Sequence, residues 1–508
     1  MLSEVHTTAG PPCPASFNLA AYVLARAADL PDKAALEILN QNGAECWTYG
    51  QLLRAVRGVA HGLTRIGLAE GDLVLLRLGN GVAFPLAFLG AVAAGLRPVA
   101  TPAALTHTEV TRIAADLSPA AIIADTGISL PDPTNATVIS ADALRAMADG
   151  PEAIISAGDP DRPAYLVYTS GTSGRARAVV HAHRAVWARR MMWQGWYGLS
   201  ESDRLLHAGA LNWTFTLGTG LFDPWAAGAT ALIPEAGTDP ARLALLIRHF
   251  DATLFAAAPG FYRQMLKAAA SLDLPTLRHG LVAGEKLPDW LRAAWLAATG
   301  KPLHEAFGMS ECSTFLSGSP DRPAPDGATG YAQQGRRIAI LGDDGLPVAR
   351  GAAGYLAVHR SDPGLFITYH GAASEAEAKF RDDWFLTGDA AAMDADGSVR
   401  CLGRADDMMN AGGYRVSPQE IEAALATHEG TGQVAVTEVN VGAGKSIIAA
   451  FYTGPVTPEA LADHAASCLA RYKMPRHFER RAALPMTTTG KINRSALRKE
   501  WDANHDKA

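Results

Sequence analysis

A repeated alternation of helical and strand patterns limits the architectures open to this chain. Leu52, Val56, Ala60 and Leu63 recur at spacings of three or four, one face of a helix that starts after Thr48-Tyr49. Leu73 to Leu78 is an apolar run suited to a buried strand, Phe84 to Ala94 reads as a second helix, and Gly95-Leu96-Arg97-Pro98 ends it. Ala120 to Ala124 and Thr137 to Ile139 are further short strands, separated by a loop punctuated by Gly127, Pro131 and Pro133. Such alternation covers a sheet with helices, so a layered α/β lobe is expected. At 508 residues the chain is too long for one core, and roughly three cores or subdomains are expected.

Composition excludes several functional classes. With 48% hydrophobic and 19% charged residues and a net charge of −6, the chain is an ordinary globular protein without the basic surface that nucleic acids require. Five scattered cysteines without a C-x-x-C suggest neither a disulfide framework nor a zinc site, which fits a reducing compartment. Met1 to His6 lacks the basic start and apolar core of a signal peptide. The apolar run Gly81 to Leu96 is interrupted by Pro85 and falls short of the roughly 20 residues that span a bilayer. A cytoplasmic chain with no membrane insertion and no nucleic-acid partner is expected.

One loop carries the chemistry. Tyr168-Thr169-Ser170-Gly171-Thr172-Ser173-Gly174-Arg175-Ala176-Arg177 packs hydroxyls, glycines and two arginines between apolar segments. Glycines let backbone N–H groups approach an anion, hydroxyls add donors and arginine supplies fixed charge, so the loop suits phosphate. The G-x-x-x-x-G-K-[ST] pattern fails, because neither Gly171 nor Gly174 is followed by Lys-Ser or Lys-Thr. The G-x-G-x-x-G fingerprint fails because neither glycine belongs to a G-x-G. His181 and His183 read as polar residues at a helix entry, since no third metal ligand lies near them in sequence.

Thr169 to Gly174 resemble the TSGTTGxPKGV signature of the adenylate-forming superfamily, which includes acyl-CoA synthetases, luciferases and adenylation domains. Ala176, Arg177 and Ala178 stand where that family has Pro, Lys and Gly, and Arg177 keeps the charge. Further on, Phe307-Gly308-Met309-Ser310-Glu311 resembles YGxTE, and Thr387-Gly388-Asp389 matches the family's TGD. Gly403 to Glu422 resembles GRxDDxIKxxGxRVSPxEIE, with Ser417, Pro418 and Glu420 reading as a capping box at a helix start. Leu484 to Arg494 is close to LPxTxxGKIxR and carries Lys491. Five motifs in the family's order make chance agreement negligible.

The resemblance implies an α/β fold with two domains. Residues 1–405 would form a large layered AMP-binding domain, α/β subdomains plus a small β-barrel lobe near Gly335 to Val358; residues 406–508 would form a smaller, mobile α+β lid. It implies an AMP-forming acyl-CoA synthetase using ATP, Mg²⁺, coenzyme A and a small aromatic, heteroaromatic or short carboxylic acid, with a homodimer allowed. Thr169, Ser170, Gly171, Thr172, Ser173, Gly174 and Arg177 would hold the phosphates and Glu311 the metal ion. Ala283, Gly284, Glu285, Phe307, Gly308 and Ser310 would frame the adenine, with Asp389 and Arg404 on the ribose. Lys491 would bridge the carboxylate and α-phosphate, Asp406 would be the hinge, and Gly412 and Gly413 would line the coenzyme A channel. Leu277 to Lys286, Phe307 to Gly318 and Ala210 to Gly220 look most like benzoate-CoA ligases, which puts Trp213, Thr214, Phe215 and Thr314 around the acyl group. Two other readings stay open: a stand-alone adenylating enzyme that loads a carrier protein, and a catalytically degraded nucleotide-binding or regulatory protein.

Overall fold

Thr48 and Gln51 each accept a hydrogen bond from the other's backbone N–H, and this capping box starts the helix Tyr49–Arg65 at the position its sequence signals. Leu52, Val56, Ala60 and Leu63 form part of its buried face. In this computed structural model, the structure describes residues 1–8, 10–40, 43–169, 177–269, 271–411, 414–441, 446–469, 471–487 and 492–505. The chain divides into two compact units.

The larger unit comprises Val5–Arg337 and His359–Asp383. It holds a seven-stranded sheet, ordered Thr368–Tyr369, Arg177–Ala182, Pro163–Thr169, Arg97–Ala100, Leu73–Arg77, Ala121–Ala124 and Thr137–Ser140. Pairing is parallel from Pro163–Thr169 onward and antiparallel at the Arg177–Ala182 end. A nine-stranded sheet includes the parallel strands Leu303–Met309, His279–Val282, Leu254–Ala257, Arg204–His207, Thr230–Pro234 and Ala34–Asn40.

One core joins the two sheets. It takes Val74, Leu76 and Val167 from the first and Leu36, Ile38, Ala231 and Ile233 from the second. The helix Ala83–Ala93 belongs to this core and is buried at every residue, as expected of a helix apolar all round. Its Phe88 ring lies 5.4 Å from Tyr165 and 5.5 Å from Phe222. The helix packs on Tyr49–Arg65 so closely that a Cβ at Gly90 would sit 2.3 Å from Val59 Cγ1.

The smaller unit comprises Met1–Glu4, Ile338–Val358 and Trp384–Ala508. The β-barrel lobe expected over Gly335 to Val358 is not confirmed among the described residues. Arg337–Leu341 and Ala353–His359 are antiparallel neighbours in a sheet whose strand order does not return on itself, and Trp384–Met393 pairs with Val399–Arg404 in the same sheet. The C-terminal part is α+β, with strands Val434–Asn440, Ser446–Tyr452 and His477–Arg480. Alternation splits their side chains: Val434, Val436 and Ala450 pack with Ile421, Leu425 and Leu461, while Ala435, Val439 and Phe451 pack with Leu497 and Trp501. The capping box expected at Ser417 does not form. The Ser417 hydroxyl donates to the Leu402 carbonyl and Glu420 pairs with Lys473, so both side chains serve tertiary contacts instead.

Replacing Gly90 with leucine should lower unfolding free energy by about 1–3 kcal/mol, the usual cost of overpacking a close helix contact. Urea denaturation measures it, and an unchanged midpoint would mean the two helices part freely.

Candidate active site

The strands Pro163–Thr169 and Arg177–Ala182 pair antiparallel up to Thr169↔Arg177, which brings the two ends of the phosphate-type loop side by side. Ser170, Gly171, Thr172, Ser173 and Gly174 lie outside the described residues, as does the Thr169 side chain. Arg177 is a fork donor to Glu375, with Nε to Oε2 at 2.8 Å and Nη2 to Oε1 at 2.6 Å. Glu375 is half exposed, so the pair adds little stability and its guanidinium remains exchangeable for another oxyanion.

Strand parity places Arg177, Val179 and His181 on one face of the sheet. Ala178 and Val180 turn the other way, into the cluster containing Leu75, Val99 and Leu166. Tyr369 pairs with Val179 from the neighbouring strand, and its hydroxyl donates to Glu311 Oε1 at 2.6 Å. Burial, then the adjacent Glu311 carboxylate, push the Tyr369 hydroxyl well up, so it stays a donor. His181 Nε2 lies 2.7 Å from the Ser310 carbonyl. These two bonds clamp the turn after the strand Leu303–Met309 against the paired strands Arg177–Ala182 and Thr368–Tyr369. Gly308 is required there, because a Cβ would meet the Ser313 carbonyl oxygen at 2.2 Å.

Phe307 is half-buried, edge-on to Phe315 with centroids 5.5 Å apart. Ala283 is buried at the end of the strand His279–Val282, and Gly284 (φ +93°) faces Trp213, whose Cη2 a Cβ would meet at 2.6 Å. Glu285 is half-buried. Trp213 stands edge-on to Phe215 at 5.5 Å, and Phe215 packs on Trp196 and His207. Thr314 is buried and its hydroxyl donates to Met192 Sδ at 2.7 Å.

A cavity of about 20 Å³ opens beside the clamp, lined by Tyr165, His181, Arg189, Thr214, Ser310 and Ser313 among others. Arg189 is buried against Asp223, with Nε to Oδ1 at 3.0 Å and Nη2 to Oδ2 at 2.6 Å. Tyr197 donates to Asp223 at 2.7 Å, and Thr219 and Ser313 take the remaining Arg189 donors. Burial opposes the Arg189 charge, but Asp223 outweighs it and holds the guanidinium protonated. A Cβ at Gly218 would lie 2.1 Å from Arg189 Cζ, so this glycine in the wide π-helical turn Thr216–Phe222 makes room for the guanidinium.

In the smaller unit, Asp389 and Arg404 face each other across paired strands, with Nη1 to Oδ2 at 3.4 Å. Gly388 (φ +80°) clears Arg404 Nη2, which a Cβ would meet at 2.5 Å. Asp406 lies in the turn Ala405–Asp407, its side chain outside the description. Gly412, Gly413 and Lys491 lie outside the described residues. The stem around Lys491 is described: Met486 bridges Ile492, and Arg494 holds Glu422 through Nη2 at 2.6 and 2.7 Å. No group of three or more metal-ligating side chains occurs among the described residues.

Sequence reasoning missed His181, Tyr165, Arg189 and Asp223. His181 sits on the strand Arg177–Ala182 rather than at a helix entry, and its parity with Arg177 was the available signal. No sequence signal joins Arg189 to Asp223, which meet only through packing.

The chain matches the AMP-binding enzyme family over residues 23–370 and the AMP-binding enzyme C-terminal domain over residues 420–491. It is 29% identical to a 3-hydroxybenzoate--CoA ligase of Aromatoleum sp. (strain CIB), covering 90% of this chain and 92% of that one. It is also 29% identical to a benzoate--CoA ligase of Thauera aromatica, covering 90% and 91%. Among solved structures, an anthranilate CoA ligase in complex with anthranoyl-AMP superposes with a TM-score of 0.86 at 27% identity, covering 97% of this chain and 99% of that one. ATP-bound MatB from Rhodopseudomonas palustris gives 0.86 at 25% identity, covering 96% and 100%.

Burial lowers His181 to about 4 and both His183 and His207 to about 3, so all three are neutral in the fold and titrate near 6.5 once unfolded. The unfolded chain therefore binds more protons below about pH 6.5, and stability present above that value should fall as pH drops toward 4. His183 Nδ1 accepts from the Leu19 N–H at 3.0 Å, so His183→Asn keeps an acceptor there without a titrating ring. Its denaturation midpoint should depend less steeply on pH between 7 and 5 than that of the wild type. Parallel curves would assign the acid sensitivity to other groups.

Proposed function

This chain belongs to the AMP-binding enzyme family, and from that premise we propose that it is an AMP-forming carboxylate–CoA ligase for small aromatic acids. The observation that carries this reading is the presence of both family regions in one chain whose relatives are benzoate and hydroxybenzoate CoA ligases. The acid's carboxylate oxygen attacks the α-phosphorus of ATP, and the bond to pyrophosphate breaks. The CoA thiol, losing its proton, then attacks the acyl carbon of the acyl-AMP and AMP leaves with the electron pair. The activation is required because a carboxylate is a poor acyl donor.

Phosphoryl transfer asks mainly for positioning and electrostatics, and the proposed residues divide accordingly. Thr169, Ser170, Thr172 and Arg177 would receive the β- and γ-phosphates, the anion displacing Glu375 from its exchangeable fork. Gly284, Glu285 and Phe307 would frame the adenine, and Asp389 and Arg404 the ribose, an ionised carboxylate having acceptor capacity for two hydroxyls. Glu311 would hold Mg²⁺: its carboxylate is a hard oxygen ligand, and the bond from Tyr369 leaves most of its acceptor sites open. When bound, the ion would neutralise charge on the triphosphate. Lys491 would meet the negative charge that builds between carboxylate and α-phosphate.

We further propose a domain boundary at 405/406, with Asp406 as the hinge and Gly412 and Gly413 beside the pantetheine arm. A cytoplasmic location suits the scattered cysteines, and no described helix is long and apolar enough to cross a membrane. Trp213 and Phe215 favour a short, flat acid over a long alkyl chain.

Pyrophosphate release measured with benzoate, hydroxybenzoates, furoate, hexanoate and palmitate, with and without CoA, tests the reading. Turnover of the aryl acids with CoA-dependent thioester formation is expected, and palmitate as the best substrate would overturn the short slot. Lys491→Ala should slow adenylation by about a hundredfold or more while sparing thioester formation from supplied acyl-AMP. Asp406→Pro should show the reverse, and equal loss in both half-reactions would remove the hinge assignment.

A further inference from the structure

His181, which lines the cavity beside the Ser310 turn, carries a polar atom that nothing among the described residues satisfies. His181 is 2% exposed. Its Nε2 meets a carbonyl oxygen, which only accepts, so Nε2 carries the proton and Nδ1 is a bare lone pair. That Nδ1 is buried without a hydrogen-bond partner, in a residue that lines the cavity. Turning the ring over would keep its stack on Tyr165, 4.9 Å away with planes 16° apart, but would take Nε2 from the Ser310 carbonyl and leave that oxygen without its donor. A buried acceptor left unpaired is costly, which points to a ligand that supplies the donor.

The rest of the cavity defines that ligand. At about 20 Å³ it accepts one hydroxyl or amino group rather than a ring. The cation that lines the cavity, Arg189, is already matched by Asp223, and its other donors go to Tyr197, Thr219 and Ser313. A second carboxylate would therefore enter as an unpaired buried charge. His181 and Arg177 share a sheet face, four residues or about 13 Å apart along the strand, which leaves room for an aryl acid between cavity and phosphates.

Resting on the ligase reading above, we propose that this cavity is the substituent subsite of the acyl pocket. His181 Nδ1 accepts a hydrogen bond there from a neutral donor, hydroxyl or amino, on an aromatic acid. Burial keeps the imidazole neutral, with its pKa down to about 4, so the acceptor persists at neutral pH. The cavity thus selects hydroxy- or aminobenzoates over both benzoate and benzenedicarboxylates.

Specificity constants are measured for benzoate, the three positional hydroxy-, amino- and fluorobenzoates, and phthalate and isophthalate. In the wild type, one hydroxy- or aminobenzoate should exceed its fluoro isostere, which lacks the donated proton, by at least about tenfold. His181→Gln keeps an N–H donor for the Ser310 carbonyl and has no atom at Nδ1. In that variant the ratio of donor acid to fluoro acid should fall to within about threefold. A fluoro acid equal to its hydroxy counterpart in the wild type overturns the proposal without any variant. A ratio unchanged in His181→Gln, with both constants lowered alike, also overturns it and makes His181 structural. Preference for a dicarboxylate would show that Arg189 is open to the substrate, and overturns it too. Failure of the wild type to release pyrophosphate with any acid would overturn the ligase reading, and this one with it.

Discussion

Two side-chain hydrogen bonds, His181 to the Ser310 carbonyl and Tyr369 to Glu311, tie the candidate active site together. Both donors stand on the same edge of one sheet: His181 on the strand that leaves the phosphate-type loop, Tyr369 on the strand paired beside it. The segment they hold belongs to the other sheet of the unit. The backbone adds a third tie at the same place, since the Phe366 N–H donates to the Glu311 carbonyl at 2.7 Å. The bond from Tyr369 is charge-assisted and sits in a partly buried setting, where such bonds are among the stronger ones.

Behind that clamp lies a costly feature of the larger unit, the buried Arg189–Asp223 pair. Both side chains are almost fully enclosed, 6% and 2% exposed, so each has given up its hydration. Tyr197, Thr219 and Ser313 satisfy the donors and acceptors left over. A pair so complete is not a strong stabiliser in itself, but removing one partner leaves a bare charge at a cost of about 3–5 kcal/mol. It therefore behaves as fixed scaffolding and gives the neighbouring cavity a wall that is polar yet neutral.

The smaller unit uses the same device at the base of its lysine segment. Arg494 is bidentate to Glu422, and Glu422 also accepts the Val436 N–H at 2.7 Å, so helix, strand and the chain after residue 491 meet at one carboxylate. Asn493 N–H to the Pro485 carbonyl and the Met486–Ile492 bridge close the stem.

Local chemistry made much of this protein legible from its sequence. Helical periodicity located Leu52, Val56, Ala60 and Leu63 on a buried face, the capping residue Thr48 marked where that helix starts, and the order of the motifs identified the family. These signals are short-range or repeat across relatives, so they survive without coordinates. Ser417 takes the N-cap position before Pro418, but its hydroxyl bonds no helix N–H, because a hydroxyl beside a helix start has several partners within reach and the fold brings the Leu402 carbonyl to it. Strand parity could have put His181 on the face of Arg177, but its orphaned Nδ1 exists only because Ser310, 129 residues away, takes the other nitrogen. Arg189 and Asp223 carry no motif, and their pairing follows from the approach of two helical segments over Gly218. Tertiary structure alone decided these contacts, because burial converts a common polar residue into a matched or unmatched one, and burial is a property of the packed chain.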